Sequence, residues 1–237
     1  GPEDVFLLNT TSGTSGMPKC VQQHQSRWFK FAECAELASQ LNPSDVFFCA
    51  VPASVGFGMW TGHFAPTLLG SPTVMLPKFS TTDLFKAIQT HKVTVLAAVS
   101  TQFIMMLNDP DLEKYDLSSL RVMFTGGEAV PYERAAQFEE RTGASVLQFY
   151  GSNETGALCY TTSRDTRLKR LTTAGRIIDW MNVKLLDERT GEPTTASRGQ
   201  PICKGPLLSY GYFNNDEGNK ELFTADGRMK MSDIVTI

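Results

Sequence analysis

The stretch VTVLAAVSTQFIMML, residues 93–107, decides the fold class of this chain. Its first part, VTVLAAV, is a mostly apolar run rich in β-branched residues, which Ser100, Thr101 and Gln102 then interrupt. A membrane-spanning helix needs about 20 consecutive apolar residues, so this stretch predicts no membrane span. We predict a buried strand followed directly by a helix, which is the repeating unit of a parallel sheet.

The same alternation of strand and helix extends over residues 5–150. Short apolar runs predict strands, and apolar residues spaced three and four apart predict helices. The predicted strands are residues 5–9, 45–52, 73–77, 93–99, 121–125 and 145–151, and the predicted helices are residues 21–41, 58–70, 80–92, 101–109 and 131–143. One helix has Ser80 as its N-cap, and another lies between Pro131 and Gly143. This alternation predicts the α/β class, with a parallel sheet and helices on its faces.

The pattern changes after Gly156. Strand-like pieces at residues 182–187 and 199–205 are separated by turn-forming stretches such as DERTGEP and FNNDEGN. We therefore predict an α/β portion over residues 1–169 and a smaller, mainly antiparallel β-rich subdomain over residues 170–237.

Composition argues against several classes of protein. Apolar residues make up 41% of the 237 residues, which is enough for a sizeable core. The formal net charge of −3 argues against a nucleic-acid binder held by phosphate contacts. The five cysteines form no CxxC pair and the three histidines no HExxH spacing, so we predict neither a disulfide scaffold nor a histidine metal site. No signal peptide is recognisable, and we expect a cytoplasmic protein.

A run of hydroxyl and glycine residues, TTSGTSGMPK at residues 10–19, follows the first predicted strand. Glycines let backbone N–H groups turn toward an anion, hydroxyls donate further hydrogen bonds, and Lys19 adds positive charge. The run therefore fits a phosphate-binding loop, although it is not a Walker A loop because no Gly-Lys-Ser/Thr follows. Composition leaves a mobile polar linker open as the alternative.

Two further polar stretches follow predicted strands, TGGEAV at residues 125–130 and YGSNETG at residues 150–156. Ligands of open α/β sheets bind beyond the carboxyl ends of the strands, where we expect both stretches. Tyr150 offers an aromatic face, and Glu154 offers a carboxylate of the kind that binds Mg²⁺ near phosphates. The alternatives are ordinary turns, in which Glu154 is solvated and the paired glycines serve only the backbone.

Five stretches together resemble the adenylate-forming superfamily of acyl- and aryl-CoA synthetases, luciferases and peptide-synthetase adenylation domains. They are TTSGTSGMPK, TGGEAV, FYGSNETG, GPLLSYGYFNN and DGRMKMSDIV, in the order and at about the spacing of that family. The resemblance implies an enzyme that uses ATP and Mg²⁺ to convert a carboxylic acid into an acyl adenylate. The acyl group then passes to a thiol, either that of CoA or that of a phosphopantetheine arm on a carrier protein.

The resemblance also implies roles for individual residues. The loop over the ATP phosphates would comprise Thr11, Ser12, Gly13, Thr14, Ser15, Gly16 and Lys19. The residues around adenine and AMP would be Gly127, Glu128, Ala129, Gln148, Phe149, Tyr150, Gly151, Ser152, Asn153 and Asp233. Tyr150 would stack on the base, Asp233 would hold the ribose hydroxyls, and Glu154 would bind the metal.

Several positions depart from the pattern of the family. Asn153 stands where a Thr usually contacts the α-phosphate, and we expect binding with altered geometry because the Asn amide can still donate a hydrogen bond. Met231 and Ser232 replace the usual Thr and Gly before Asp233. Val55 stands where many acyl-CoA synthetases have a His in the acyl channel, so a mechanism that uses such a His is not expected.

The acid is predicted from the segment after Pro52, which lines the acyl pocket in this family. Gly56 stands where domains that activate α-amino acids have an Asp, and a buried ammonium without a counter-charge is costly. We therefore expect an apolar acid, fatty or aromatic. The predicted pocket residues are Val55, Gly56, Phe57, Trp60 and Val99. Ordinary core packing is the alternative, above all for Trp60.

The resemblance implies that the chain is a core fragment, without the N-terminal portion and the small C-terminal domain of the family. Because that C-terminal domain supplies a lysine for adenylation, we expect weak or no activity from the chain by itself. The first candidate function is an acyl- or aryl-CoA ligase. The alternatives are an adenylation domain that loads a carrier protein and a nucleotide-binding module without turnover.

Overall fold

The computed structural model of the chain describes residues 1–11 and 17–237. The chain divides into two compact units. The first unit comprises Gly1–Lys30, Gly151–Leu158 and Ile177–Ile237, and the second comprises Phe31–Tyr150 and Cys159–Arg176. The predicted division of the chain after residue 169 stays a prediction.

Short strands and helices follow one another along the described part of the chain. The strands are β1 (Val5–Thr10), β2 (Cys20–His24), β3 (Phe47–Cys49), β4 (Thr73–Val74), β5 (Val95–Ala97), β6 (Val122–Gly126), β7 (Ser145–Ser152), β8 (Gly156–Tyr160), β9 (Arg176–Ile177), β10 (Asn182–Leu186), β11 (Pro193–Thr194), β12 (Arg198–Lys204), β13 (Met229–Lys230) and β14 (Val235–Thr236). The helices are α1 (Gln25–Ser39), α2 (Gly56–Met59), α3 (Ala65–Leu69), α4 (Thr81–His91), α5 (Ser100–Asn108), α6 (Tyr132–Thr142), α7 (Arg167–Thr172) and α8 (Asp216–Leu222). A π-helical turn, Trp60–Phe64, joins α2 to α3, and a 3₁₀ turn, Leu112–Lys114, follows α5.

The second unit contains the parallel part of a sheet, with the strand order β4-β3-β5-β6-β7. Strand β3 is parallel to β4 and β5, β5 is parallel to β6, and β6 is parallel to β7. Every residue of β5 and β6 is buried, as expected when helices cover both faces of a parallel sheet. The predicted α/β class, with a parallel sheet flanked by helices, is confirmed.

Two helices of this unit, α4 and α6, begin and end where their sequence signals predict. The side chain of Ser80 accepts a hydrogen bond from the N–H of Asp83 at the start of α4. Pro131 precedes α6, and Gly143 ends it with a φ of 76°, a conformation that glycine adopts without steric cost. Phe103 of α5 and Phe138 of α6 pack edge to face with ring centroids 5.8 Å apart, and both are fully buried.

Two sequence-based expectations near the start of the chain are wrong. The first strand does not join the parallel sheet, because β1 pairs antiparallel with β2 in a separate two-stranded sheet. The helix predicted over residues 21–41 begins only at Gln25, because Cys20–His24 are held in strand conformation by that pairing. The helix prediction failed at Cys20–His24 because five residues are too few to distinguish the alternating pattern of a strand from the periodicity of a helix.

The first unit contains an antiparallel sheet in the order β11-β10-β12-β13, with β14 also paired to β12. Its helix α8 was predicted only as turn-forming sequence. The side chain of Asn215 accepts a hydrogen bond from the N–H of Gly218, which makes Asn215 the N-cap of this short helix. Among the described residues, no helix is both long and apolar enough to cross a membrane.

Candidate functional site

The predicted phosphate loop connects the two strands of the β1–β2 hairpin. Thr10 is paired with Cys20, and the pairing continues one step further, with the N–H of Thr11 donating to the carbonyl of Lys19 at 3.0 Å. The N–H of Lys19 donates in return to the hydroxyl of Thr11 at 3.3 Å. Of the predicted loop residues, Ser12, Gly13, Thr14, Ser15 and Gly16 lie outside the described residues.

Glu154 occupies the middle of the turn Asn153–Thr155, which connects β7 to β8. The hydroxyl of Ser152 accepts hydrogen bonds from the N–H groups of Glu154 at 3.2 Å and Thr155 at 3.1 Å. Gly156 follows the turn with a φ of 68°, as is common after a three-residue hairpin turn. The local sequence therefore closes the turn by its own hydrogen bonds.

Gly151 lies where the backbones of β7 and β8 approach each other closely. A Cβ atom at Gly151 would lie 1.8 Å from the carbonyl oxygen of Gly156 and 2.9 Å from the Cα of Ala157. Both are main-chain atoms, which cannot turn away as a side chain could. Glycine is therefore required here by space, beside the residue predicted to bind metal.

A cavity of about 280 Å³ in the first unit collects predicted site residues from distant parts of the sequence. Its walls are formed by Lys19, Gly151, Ser152, Glu154, Gln200, Tyr212, Gly218, Glu221, Leu222, Lys230, Met231, Ser232 and Asp233. Within it, the ammonium of Lys19 lies 4.8 Å from the centre of the Tyr212 ring, and the Tyr212 hydroxyl donates to the Glu154 carboxylate at 2.9 Å. A cation, an aromatic ring and an anion are thereby held in a chain of contacts.

The charges around Tyr212 fix the direction of its hydrogen bond. Burial raises the pKa of the Tyr212 hydroxyl, and the negative charges of Glu154 and Glu221 raise it further. At neutral pH the phenol therefore keeps its proton and donates it to the Glu154 carboxylate. This contact orients the carboxylate.

A buried polar network ties the Glu154 turn to the β1–β2 hairpin. Arg27 is fully buried, and its guanidinium donates to the carbonyls of Asn153 at 3.1 Å and Glu154 at 3.5 Å. The amide nitrogen of Gln23 donates to the side-chain oxygen of Asn9 at 2.7 Å and to the carbonyl of Asn153 at 3.3 Å. Burial lowers the pKa of Arg27 to about 9, an effect that the charge of Glu154 opposes, so the guanidinium is charged at neutral pH.

The side chain of Asn153 is part of the same network. Its oxygen accepts from the amide of Asn9 at 3.1 Å, and its nitrogen donates to the carbonyl of Thr10 at 3.3 Å. Asn153 is thus bonded to the end of β1, directly before the predicted phosphate loop. The Asn that replaces the expected Thr has a structural partner in this chain.

The predicted adenine-binding residues of the second unit lie at the carboxyl ends of β6 and β7. Gly126 is paired with Phe149, which brings Gly127 beside Tyr150. Gly127 has a φ of 84° and space around it, and Ala129 is also exposed. The carboxylate of Glu128 accepts a hydrogen bond from the N–H of Ser100 at 2.8 Å and so caps the start of α5.

Gln148 and Phe149 are committed to structural contacts. The amide of Gln148 donates to the carbonyl of Arg170 at 2.7 Å. Phe149 is buried, and its ring packs edge to face on Trp60 at a centroid distance of 4.8 Å. Phe124 and Tyr160 complete this aromatic cluster around Phe149.

The predicted acyl-pocket residues differ in exposure. Val55 is 47% exposed, whereas Trp60 is 5% exposed. Phe57 packs on Trp60 with a centroid distance of 5.8 Å and an interplanar angle of 63°. Val99 precedes α5, where its N–H donates to the side chain of Gln102 at 3.0 Å. The indole nitrogen of Trp60 is buried with no hydrogen-bond acceptor among the described residues.

The cavity wall contains Glu154, the carboxylate predicted from the sequence to bind Mg²⁺. No group of three or more His, Cys, Asp or Glu side chains that could hold a metal is found among residues 1–11 and 17–237. Mg²⁺ is commonly bound by one or two carboxylates together with substrate phosphates and waters, and it needs no complete protein cage. The oriented carboxylate of Glu154, with the positive charge of Lys19 in the same wall, fits that arrangement.

The sequence matches the model of the AMP-binding enzyme family over residues 1–213. The chain belongs to this family. The match includes the hairpin, the Glu154 turn and Tyr212, but it ends before Asp233.

Characterised relatives in the family are similar to the chain over nearly all of its length. The chain is 32% identical to luciferin 4-monooxygenase from Nipponoluciola cruciata over 98% of the chain and 43% of that protein. It is 31% identical to the medium/long-chain-fatty-acid–CoA ligase FadD8 of Mycobacterium tuberculosis, over 98% of the chain and 40% of that ligase. The chain thus spans less than half the length of these relatives.

The fold also matches solved structures of other proteins. The crystal structure of ATP-bound MatB from Rhodopseudomonas palustris superimposes with a TM-score of 0.89 at 23% identity. The match covers the whole chain and 46% of MatB. At this identity the likeness shows the fold.

Sequence reasoning missed the residues that support the site. Tyr212 lies within one of the stretches that carry the family resemblance, but its contact with Glu154 depends on residues 58 positions apart. Gln23 and Arg27 are four residues apart, and their side chains meet although Gln23 lies in β2 and Arg27 in α1. That spacing is visible in the sequence, but nothing in the sequence shows that Arg27 is buried.

Proposed function

We propose that this chain is the nucleotide-binding core of an AMP-forming ligase that activates a carboxylic acid. The observation that carries the proposal is the cavity that brings together Lys19, Glu154 and Asp233. These three residues come from three motifs spread over the length of the chain, and folding collects a cation and two anions around one space. Membership in the AMP-binding enzyme family supports the same reading.

In this proposal the β1–β2 hairpin and Lys19 bind the β- and γ-phosphates of ATP. Lys19 supplies charge against the polyphosphate, and its position over Tyr212 keeps the ammonium in the cavity wall. Asp233 accepts hydrogen bonds from the ribose hydroxyls. Gly127, Ala129 and Tyr150 form the adenine site, in which the Tyr150 ring stacks on the base.

Glu154 is the proposed metal ligand. Bound there, Mg²⁺ would supply charge neutralisation for the phosphate oxygens. The role of Tyr212 is to hold the carboxylate in one orientation through the 2.9 Å hydrogen bond. Asn153 holds the same turn against β1, so its contribution to nucleotide binding is through position and one remaining amide hydrogen.

The proposed reaction has two steps. The carboxylate of the acid attacks the α-phosphorus of ATP, the bond to the bridging oxygen of pyrophosphate breaks, and the acyl adenylate forms. A thiol then attacks the acyl carbon, AMP leaves, and the thiol proton passes to solvent. Catalysis of the first step depends on positioning and charge neutralisation, because the substrate itself is the nucleophile.

We propose an apolar acid, fatty or aromatic, with CoA as the acceptor thiol. The side chains of Val55, Phe57, Trp60 and Val99 carry no charge that could pair with an ammonium group. The naming of the Mycobacterium tuberculosis relative as a fatty-acid–CoA ligase supports this class. Because the Trp60 indole nitrogen lacks an acceptor among the described residues, acids with a hydrogen-bond acceptor on the apolar chain or ring belong in any test panel.

The test is ATP–pyrophosphate exchange by the whole protein, measured across fatty, aromatic and α-amino acids. We expect exchange with apolar acids and none above background with α-amino acids. Amide hydrogen exchange over residues 9–19, with and without ATP and Mg²⁺, tests the phosphate loop directly. Equal hydrogen exchange in both states, when ATP binding is verified independently, would contradict the assignment of the loop.

A further inference from the structure

The guanidinium of Arg27 is fully buried and is hydrogen-bonded to the turn that carries Glu154. Burying a charge is costly unless it is paired or hydrogen-bonded. The Arg27 guanidinium donates to the main-chain carbonyls of Asn153 and Glu154 and to the side-chain oxygen of Gln23. The guanidinium therefore binds the backbone of the turn that carries the proposed metal ligand.

The turn is also tied to the β1–β2 hairpin by side-chain amides. Gln23 bridges Asn9 and the Asn153 carbonyl, and Asn153 bonds to Asn9 and to the carbonyl of Thr10. These bonds are all within the first unit. A shift of the turn relative to the hairpin would break several of these hydrogen bonds together. The network therefore fixes the distance between the Asn153–Thr155 turn and the β1–β2 hairpin.

We propose that Arg27 is a positioning residue for the ligase reaction: it holds the Asn153–Thr155 turn so that the Glu154 carboxylate keeps its place relative to the β1–β2 hairpin. The proposal rests on the function proposed above. Arg27 contacts the backbone of Glu154. In this proposal Arg27 acts through Glu154, and the tests must show that its effect depends on the Glu154 carboxylate.

The first test measures amide hydrogen exchange in the nucleotide-free whole protein. Arg27→Lys keeps the charge but lacks the planar fork of donors, and Arg27→Gln removes the charge. We expect exchange at residues 151–156 to accelerate about ten-fold or more, as for loss of a hydrogen bond to a charged group, while residues 95–97 of β5 keep their protection. Unchanged exchange at residues 151–156 in folded Arg27→Lys would overturn the proposal.

Arg121→Lys is the matched control for this test. The Arg121 guanidinium also donates to a main-chain carbonyl, that of Ser39 at 2.7 Å, and to the carboxylate of Asp45. It lies in the second unit, and its side chain is hydrogen-bonded to Ser39, Gln40 and Asp45, none of which is a predicted site residue. Acceleration at residues 151–156 in Arg121→Lys equal to that in Arg27→Lys would attribute the effect to general loosening and would also overturn the proposal.

The second test asks whether Arg27 acts through Glu154. We expect Arg27→Lys to raise the Mg²⁺ concentration for half-maximal pyrophosphate exchange about ten-fold, with a smaller change in the KM for the acid. In a Glu154→Gln background, Arg27→Lys should leave the residual rate unchanged, because the carboxylate to be positioned is absent. A further ten-fold loss in that background would overturn action through Glu154.

The two readouts separate this inference from the proposed function. If the wild-type protein shows no pyrophosphate exchange with any acid tested, the proposed function is refuted. The hydrogen-exchange comparison would still decide whether Arg27 holds the turn. An active enzyme in which Arg27→Lys changes neither readout would refute only the role of Arg27.

Discussion

Replacing Gly151 by alanine would test how tightly the geometry of the cavity is set. The new Cβ would lie 1.8 Å from the Gly156 carbonyl oxygen, so the strands β7 and β8 would have to separate locally by more than about 1 Å to reach an ordinary contact. Gly151 is absent from the glycines with positive φ, so the cost is steric. Because main-chain atoms cannot rotate out of the way, we expect a loss of about 3 kcal/mol in the free energy of unfolding, the upper end of typical overpacking costs.

The same displacement should reach the Glu154 turn, three residues away. A misplacement of about 1 Å at a catalytic group can cost roughly 100-fold in rate, and we expect a loss of that order in pyrophosphate exchange. Urea unfolding and exchange assays on the purified whole protein measure the two effects.

Gly143→Ala is the control for that substitution. Gly143 has a φ of 76° but open space around it, so alanine there should cost about 1 kcal/mol of stability and leave the exchange rate unchanged. A Gly151→Ala protein as stable and as active as the wild type would refute the argument from close backbone approach. Equal losses of activity in both variants would refute the link from Gly151 to Glu154.

Three further predictions concern single side chains. Glu154→Gln should lower pyrophosphate exchange roughly 100-fold while weakening ATP binding much less, since the carboxylate is proposed to act on charge that develops in the transition state; unchanged exchange would exclude the role. Asp45→Asn should lower the free energy of unfolding by about 2–3 kcal/mol at pH 7, because Asp45 is buried and its partner Arg121 is partly exposed. Burial alone would raise the pKa of Asp45, but hydrogen bonds from Arg121 and Thr94 hold it below the ordinary value, so this stability is present above about pH 4 and is lost as the pH falls through the lowered pKa. The difference in the free energy of unfolding between the wild type and Asp45→Asn, measured by urea unfolding, should therefore decrease in acid. A difference that does not depend on pH would contradict the assignment. Ser80→Ala should cost about 1 kcal/mol through loss of the N-cap of α4, and thermal unfolding that matches the wild type would show that the cap is not stabilising.

The strongly patterned middle of the chain was predictable because its signals are local. The apolar run that became β5 and the helix after it follow from periodicity, and the ends of α4 and α6 follow from Ser80 and Gly143. The β1–β2 hairpin was not predictable in this way. Its second strand is short and its pairing partner lies across the predicted phosphate loop, so tertiary pairing overrides local pattern.

The same distinction between local sequence signals and tertiary contacts applies to the candidate site. Residues named for the site came from motifs and from a family resemblance, and the structure brings Lys19, Glu154 and Asp233 to one cavity. The residues that hold the site in place, Arg27 and Tyr212, depend on burial and on contacts between distant segments. Those properties belong to the folded chain, and local sequence patterns do not show them.

The pairing of Thr11 with Lys19 has a consequence for how such a site can vary. The two ends of the connection are held together by the hydrogen bonds of β1 and β2, so the entropy of bringing them together is met by strand pairing rather than by ligand binding. Once the ends are fixed, doubling the length of a flexible connection costs only about 0.6 kcal/mol more in closure. The strand pairing of the hairpin thus fixes both ends of the connection. The length and composition of the connection can therefore vary without moving β1 or β2.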